Sequence, residues 1–222
     1  MDLLYGYAGK FLRVDLTDEK ITEEKLNEET LRKYVGGNGI GSKYLYDEVP
    51  AGVDWSVPGN RMIFATGPLG GTVMGGSGTI SIVTKGCLTN GAVACQANGF
   101  FGAFLKSSGY DGIILKGKAR RWTYLYVQDG TVELRDASHL LNRDTWETAD
   151  IIRSELGRSP HQLSVAAIGP AGENLVKYAC VVVDKGHVAA HGGVGAVMGS
   201  KKLKAVVARG SRQVPLADRD PS

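Results

Sequence analysis

The chain has 222 residues, 43% of them apolar, which is enough to bury a sizeable core as one large domain or two small ones. Its 26 basic and 23 acidic residues leave a net charge of +3 without a concentrated basic patch, which argues against nucleic acid and membrane as partners. No run approaches ~18 apolar residues, and residues 1–10 lack the basic-then-apolar pattern of a secretion signal, so a cytoplasmic protein is expected.

Cys87, Cys95 and Cys180 are too few and too widely spaced for a disulfide framework, and none forms a C-x-x-C pair, so free thiols are expected. Glycine is the outlier: 31 residues, about twice the usual share of ~7%. Glycines set beside apolar runs mark unusual backbone angles or close approach of the backbone to a ligand or another strand.

In chain order, residues 11–23 alternate apolar Leu12, Val14 and Leu16 with polar neighbours and turn at 17–20, predicting a hairpin. Helical spacing follows over 27–34 and 40–49, with Gly36, Gly37, Gly39 and Gly41 expected to separate the two pieces. A strand at 63–65 stops at Gly67-Pro68. A second strand at 81–85, a glycine-led helix from Gly102 and a closing strand at 112–117 complete the first half. The same order then recurs: a hairpin around Asp129-Gly130, a helix over 145–156, a strand stopped by Gly169-Pro170, a strand at 181–185, a glycine-led helix from Gly195 and a strand at 205–210.

These observations predict an α+β fold, internally duplicated, with two β-sheets and flanking helices about an approximate two-fold axis. The repeats are expected at 1–117 and 118–210, with the polar segment 211–222 as a linker.

Between the second strand and the glycine-led helix of each half lies a polar, small-residue segment, 95–99 and 186–193. Placed ahead of helix N-termini, both segments are candidate anion cradles. Neither matches a Walker or dinucleotide-binding pattern. His187 and His191, four residues apart, would make a metal pair on a helix, but Gly186, Gly192 and Gly193 argue against a helix there; donors to phosphate and ordinary loop residues are the other readings. His139 and His161 lie in polar stretches and are expected at the surface. No Ser-His-Asp or paired-carboxylate set can be assigned from spacing alone.

The segments Tyr5-Gly6-Tyr7-Ala8-Gly9-Lys10, Ala65-Thr66-Gly67-Pro68-Leu69, Ile168-Gly169-Pro170-Ala171-Gly172-Glu173-Asn174-Leu175 and Gly192-Gly193-Val194-Gly195-Ala196-Val197-Met198-Gly199-Ser200-Lys201 closely resemble the N-terminal domain of the aldehyde:ferredoxin oxidoreductases, and the resemblance covers nearly the whole chain. It implies a domain that forms the base for a tungsten, or molybdenum, bis-pterin, in an enzyme that oxidises aldehydes and passes electrons through a four-iron four-sulfur cluster to a ferredoxin-like acceptor. Cluster ligands and acid/base groups would belong to C-terminal domains or a partner subunit, and a homodimer is among the assemblies such an enzyme could form.

Carried over by position, the resemblance implies pterin contacts at Thr79, Gln96, Asn98, His187, Val188, Ala190 and His191, and a magnesium ion held by backbone carbonyls of Gln96 and Val188. The family has arginine where this chain has Thr79, His187 and His191, asparagine at Gln96 and alanine at Val188. Arginine grips phosphate bidentately and always charged, whereas histidine and threonine do not. A scaffold that keeps the fold without the cofactor is therefore the alternative reading.

Overall fold

The structure, a computed structural model, describes residues 5–217. The first half runs β1 (Lys10–Asp15), β2 (Lys20–Lys25), α1 (Glu28–Tyr34), α2 (Gly37–Glu48), β3 (Met62–Ala65), β4 (Ile80–Lys85), β5 (Ala92–Ala97), α3 (Phe101–Ser107) and β6 (Gly112–Lys116). The second runs β7 (Thr123–Gln128), β8 (Thr131–Asp136), α4 (Thr145–Glu155), β9 (Ser164–Ala167), α5 (Pro170–Glu173), β10 (Val181–Val183), β11 (His187–Ala189), α6 (Val194–Ser200) and β12 (Leu203–Arg209), with short 3-10 turns at Ser138–Leu140 and His191–Gly193.

Each half builds one six-stranded mixed sheet. The orders are β2-β1-β6-β3-β4-β5 and, read in the matching direction, β8-β7-β12-β9-β10-β11. In each, the first strand of the hairpin runs parallel to the closing strand while every other neighbour is antiparallel. The two halves thus share one topology, as the recurring sequence order predicts.

The alternating patterns place two apolar faces on each sheet. One face of each meets the other in a common core, where Phe64, Ile82, Cys95 and Phe101 pack in one cluster with Ala166, Val181, Val183 and Val206. The outer face of the first sheet carries α2, whose Ile40, Tyr44 and Leu45 join Ile63 and Val83. The outer face of the second carries α4, with Ala149 and Ile152 against Val165 and Val207. Each such aliphatic side chain contributes about 1.5–3 kcal/mol by leaving water.

Three expectations need correction. β5 and β11 are strands, not loops leading into helices. And α2 begins at Gly37 and runs through Gly39 and Gly41, so only Val35 and Gly36 separate it from α1, with Val35 at positive φ (61°). Packing overrides the low helix propensity of glycine here, because a Cβ on Gly41 would enter Val83 and one on Gly39 the Tyr34 carbonyl.

The strand expected over 181–185 stops at Val183, because Asp184 and Lys185 take positive φ (47° and 67°) and turn the chain into β11. Past β12 the chain stays on the body of the domain: Arg212 N–H donates to Ser107 O (3.0 Å) and Gly6 N–H to Pro215 O (2.7 Å). Of the segment expected as a linker, residues 218–222 lie outside those described. No helix among the described residues is long and apolar enough to cross a membrane.

Candidate functional site

β5 and β11 are the equivalent edge strands of the two sheets, and the register shows how their residues correspond. In the first sheet Gln96 pairs with Ser81, and Ser81 with Ala65. In the second Val188 pairs with Val182, and Val182 with Ala167. Gln96 and Val188 therefore occupy the same place in the two sheets. By the same register Asn98 corresponds to Ala190 and Thr79 to Cys180.

The structure brings Gln96, Asn98, His187 and Val188 together around a cavity of about 470 Å³, with Ala97 and Gly186 completing its wall. Thr79 stands beside them, its hydroxyl donating to Gly76 O (2.9 Å) and lying 3.1 Å from Asn98 Oδ1. Ala190 and His191 follow directly on β11 and are exposed, so they belong to the same strip without lining the cavity. His187 reaches across the halves: a Cβ on Gly99 would lie 3.0 Å from its Cδ2. His187 is on a strand and His191 in a 3-10 turn, so the two do not form a helical metal pair. His139 and His161 are exposed, and His139 Nε2 lies 2.5 Å from Glu155 Oε1.

The helix N-termini behind this strip are not the anion cradles expected. At α3 the anion is already present, since Asp184 Oδ2 accepts from Phe100 N–H (2.9 Å) and from Ser164 Oγ. α6 is buried along its whole length, and Gly195 N–H in its first turn donates to Ala179 O (2.9 Å). Gly192 and Gly193 meet protein rather than open space: at φ 69° and 71°, a Cβ on the first would enter Val93 and on the second Lys177 O and Cys87 Sγ.

Three of the side chains lining the cavity wall are polar: Gln96 and Asn98 offer amide donors, and His187 an imidazole. None carries a fixed positive charge. This set fits phosphate oxygens whose charge a divalent cation balances, and supplies no charge-assisted grip itself. Cys95, under the strip, is buried, which pushes its thiol up to about 12 and keeps it neutral. Among the described residues no group of three or more His, Cys, Asp or Glu side chains could hold a metal ion.

A second cavity, of about 400 Å³, opens on the first half alone. It lies between Gly36-Gly37-Asn38-Gly39 at the start of α2, the chain leaving β3 and residues 75–79, and Gln96 borders both cavities. Its glycine run was read in the sequence only as a break between helices, and neither Ser81 nor Asp184 carried any local signal of a role.

Two mixed sheets back to back, with a polar strip where their equivalent edges meet, define an internally duplicated α+β domain. Residues 11–210 match the family described as aldehyde ferredoxin oxidoreductase, N-terminal domain, and the chain belongs to that family. It is 44% identical to the tungsten-containing aldehyde ferredoxin oxidoreductase of Pyrococcus furiosus, over 97% of this chain and 35% of that protein. It is 38% identical to the aliphatic sulfonate oxidoreductase, WOR-like subunit, of the same organism, over 96% of this chain and 36% of that one. Among solved structures it superimposes on a chain of the active site complex BamBC of benzoyl coenzyme A reductase, in complex with 1,5 dienoyl-CoA. The TM-score there is 0.92 at 41% identity, covering 95% of this chain and 32% of that one. The chain thus spans about a third of the length of these relatives.

Proposed function

We propose that this chain is the base of a tungsten bis-pterin oxidoreductase, each of its sheets giving one pterin an equivalent bed. The observation that carries this reading is the register correspondence of Gln96 and Val188, beside one cavity, in a family whose relatives contain tungsten. The repeats 1–117 and 118–210 would be the two beds.

Asn98, Gln96, His187 and His191 would donate hydrogen bonds to the pterin phosphates, with Thr79, Val188 and Ala190 lining their seat. The backbone carbonyls of Gln96 and Val188 would hold the magnesium ion that balances the phosphate charge. When bound, tungsten supplies the redox chemistry on an aldehyde or related carbonyl substrate. This chain's own residues orient the cofactor and contribute no acid or base. The four-iron four-sulfur cluster, acid/base groups and contacts to a ferredoxin-like acceptor would come from the further domains or subunits that the relatives' greater length implies. Three free cysteines accord with a reducing compartment and support a cytoplasmic location.

A scaffold without cofactor is the second reading, favoured by the lack of a charged side chain on the cavity wall. Elemental analysis and pterin release from the full natural chain, expressed with tungstate, separate the two. Metal and pterin in a 1:2 ratio support the first reading, and protein free of both supports the second.

A further inference from the structure

We propose that the outer face of the first sheet carries a binding site for a small tetrahedral dianion, a phosphoryl or sulfate group. A cavity of about 220 Å³ opens there over β2, β1 and β6. Four cations wall it, Arg13, Lys20, Arg61 and Lys116, against one carboxylate, Asp15. In the order β2-β1-β6-β3-β4-β5 it lies at the opposite edge from β5, and it shares no residue with the strip of Gln96, Asn98, His187 and Val188.

Strand alternation puts Arg13 and Asp15 in line with Phe11, on the face that α2 covers through Tyr44. That helix ends at Glu48, and the face beyond it is left open. Glu48 Oε2 accepts from Arg61 Nε (2.8 Å) and Arg13 Nη1 (3.2 Å), and Glu24 also accepts from Arg13, so carboxylates outside the wall fix two guanidinium groups within it. The carboxylates of β1 and β2 are taken by Lys10, Arg13 and Lys116, which leaves Lys20 without an ion pair among the described residues. Behind the wall, the buried Lys201 donates only to carbonyls, those of Asn60 and Gly117, next in sequence to Arg61 and Lys116. Burial and then the charge of Arg61 lower its pKa to about 7. Cations this close repel one another, and a doubly charged anion between them relieves the repulsion.

The second half fills the equivalent place with its own side chain. Arg13 pairs with Ile114 and Ile114 with Ile63, as Tyr126 pairs with Val207 and Val207 with Val165, so Tyr126 stands in the position of Arg13. By the same register Gln128 replaces Asp15 and Thr131 replaces Lys20. Tyr126 is buried, its hydroxyl donates to Gln128 Oε1, and Arg135 lies 4.6 Å from its ring centroid. One half thus closes the place with a ring, while the other keeps it open and surrounds it with positive charge. At ~30 Å³ per water, the open space takes one phosphoryl or sulfate group with a few waters. Guanidinium forks and ammonium point charges both match its oxygens.

Calorimetric titration of the full natural chain with inorganic phosphate, sulfate, glycerol phosphate and acetate, at constant ionic strength in chloride, tests the site. Saturable binding of one tetrahedral dianion per chain is expected, at least tenfold tighter than acetate, and the preference between inorganic phosphate and glycerol phosphate tells a free ion from a monoester. Lys20 is exposed, so Lys20→Glu should weaken binding at least tenfold at an unchanged melting temperature. Lys177→Glu, the same change of charge at an exposed residue outside the cavity, should stay within about twofold of wild type. Absence of saturable binding, acetate binding as tightly as phosphate, or equal weakening by both variants overturns the proposal. Tungsten assayed on the same samples keeps this site distinct from the cofactor bed. Lys20→Glu should lose the anion and keep the metal, and joint loss of both would overturn the separate site. Dianion binding by a tungsten-free wild type would remove the cofactor reading and leave this one standing.

Discussion

Asp184 Oδ2, on the turn after β10, accepts a hydrogen bond from Phe100 N–H at 2.9 Å, so the anion at the N-terminus of α3 comes from the opposite half. The same carboxylate accepts from Ser164 Oγ, from Val165 N–H (3.3 Å) and from the buried Arg153 (3.3 Å). Asp184 is thereby a clasp between the two sheets as well as a cap.

Removing it should be costly. Asp184→Ala leaves Arg153 buried without its carboxylate and is expected to lose about 3–5 kcal/mol in urea unfolding. Asp184→Asn, which retains one acceptor oxygen, should lose less. Hydrogen exchange at Phe100 and the first turn of α3 should accelerate in both. A loss in Asp184→Ala below ~1 kcal/mol, the worth of an ordinary cap, would mean that the clasp is not energetic.

Gly193 and His191, two residues apart, should separate packing from binding. Gly193→Ala places a Cβ in Lys177 O at φ 71° and is expected to destabilise the fold by about 2 kcal/mol or more. His191 is exposed, so His191→Ala should stay within about 0.5 kcal/mol of wild type while lowering cofactor content. Thermal melts beside metal analysis read both effects.

Lys201 gives stability a defined pH dependence. Its ammonium is buried, donating to Asn60 O (2.6 Å) and Gly117 O (3.2 Å), and desolvation with the nearby Arg61 lowers its pKa to about 7 in the fold. The unfolded chain, where the group has its ordinary value near 10.4, binds the extra proton between those limits. Stability should therefore rise as pH increases from 7 to 9. Lys106 and Lys204, also lowered by burial, act in the same direction. Above about pH 8.5 Cys95 offsets part of this rise, because burial keeps it protonated to about 12 in the fold while the unfolded thiol ionises. Lys201→Met should flatten the 7-to-9 slope in denaturant titrations, and an unchanged slope would assign it elsewhere.

The hairpins, the strand and Gly-Pro stops, α4 and the closing strands were legible because their alternation or capping chemistry is local. β5 and β11 were not: Ala92–Ala97 and His187–Ala189 are short edge strands of small or polar residues, with weak strand preference until a neighbour pairs them. Only the first turn of α2 was hidden, by glycines whose reason is the sheet and the turn beneath them; its body over 40–48 was legible from helical spacing. The positions on the polar strip followed from the family resemblance, but their two-fold correspondence appears only in the register. Asp184 was unreadable, since its partners Phe100 and Ser164 are set by the docking of the halves.

The family resemblance implies an arginine at the position of Thr79. Thr79→Arg should bring a charged, bidentate donor beside Asn98, worth about 1.5–3 kcal/mol to a bound phosphate and roughly tenfold or more in cofactor retention after dialysis. Retention equal to wild type would show that the phosphate does not reach this position.

The most direct test of the central claim is the tungsten content of the full natural chain carrying Asn98→Asp, measured beside wild type and the surface control His161→Ala. Asn98 is exposed beside the cavity where Gln96 and Val188 correspond, so the added charge should leave the fold intact and repel the phosphate placed there. The account predicts near-stoichiometric tungsten in wild type and control, with loss of most of it in Asn98→Asp at an unchanged melting temperature. Equal tungsten in all three proteins would contradict it.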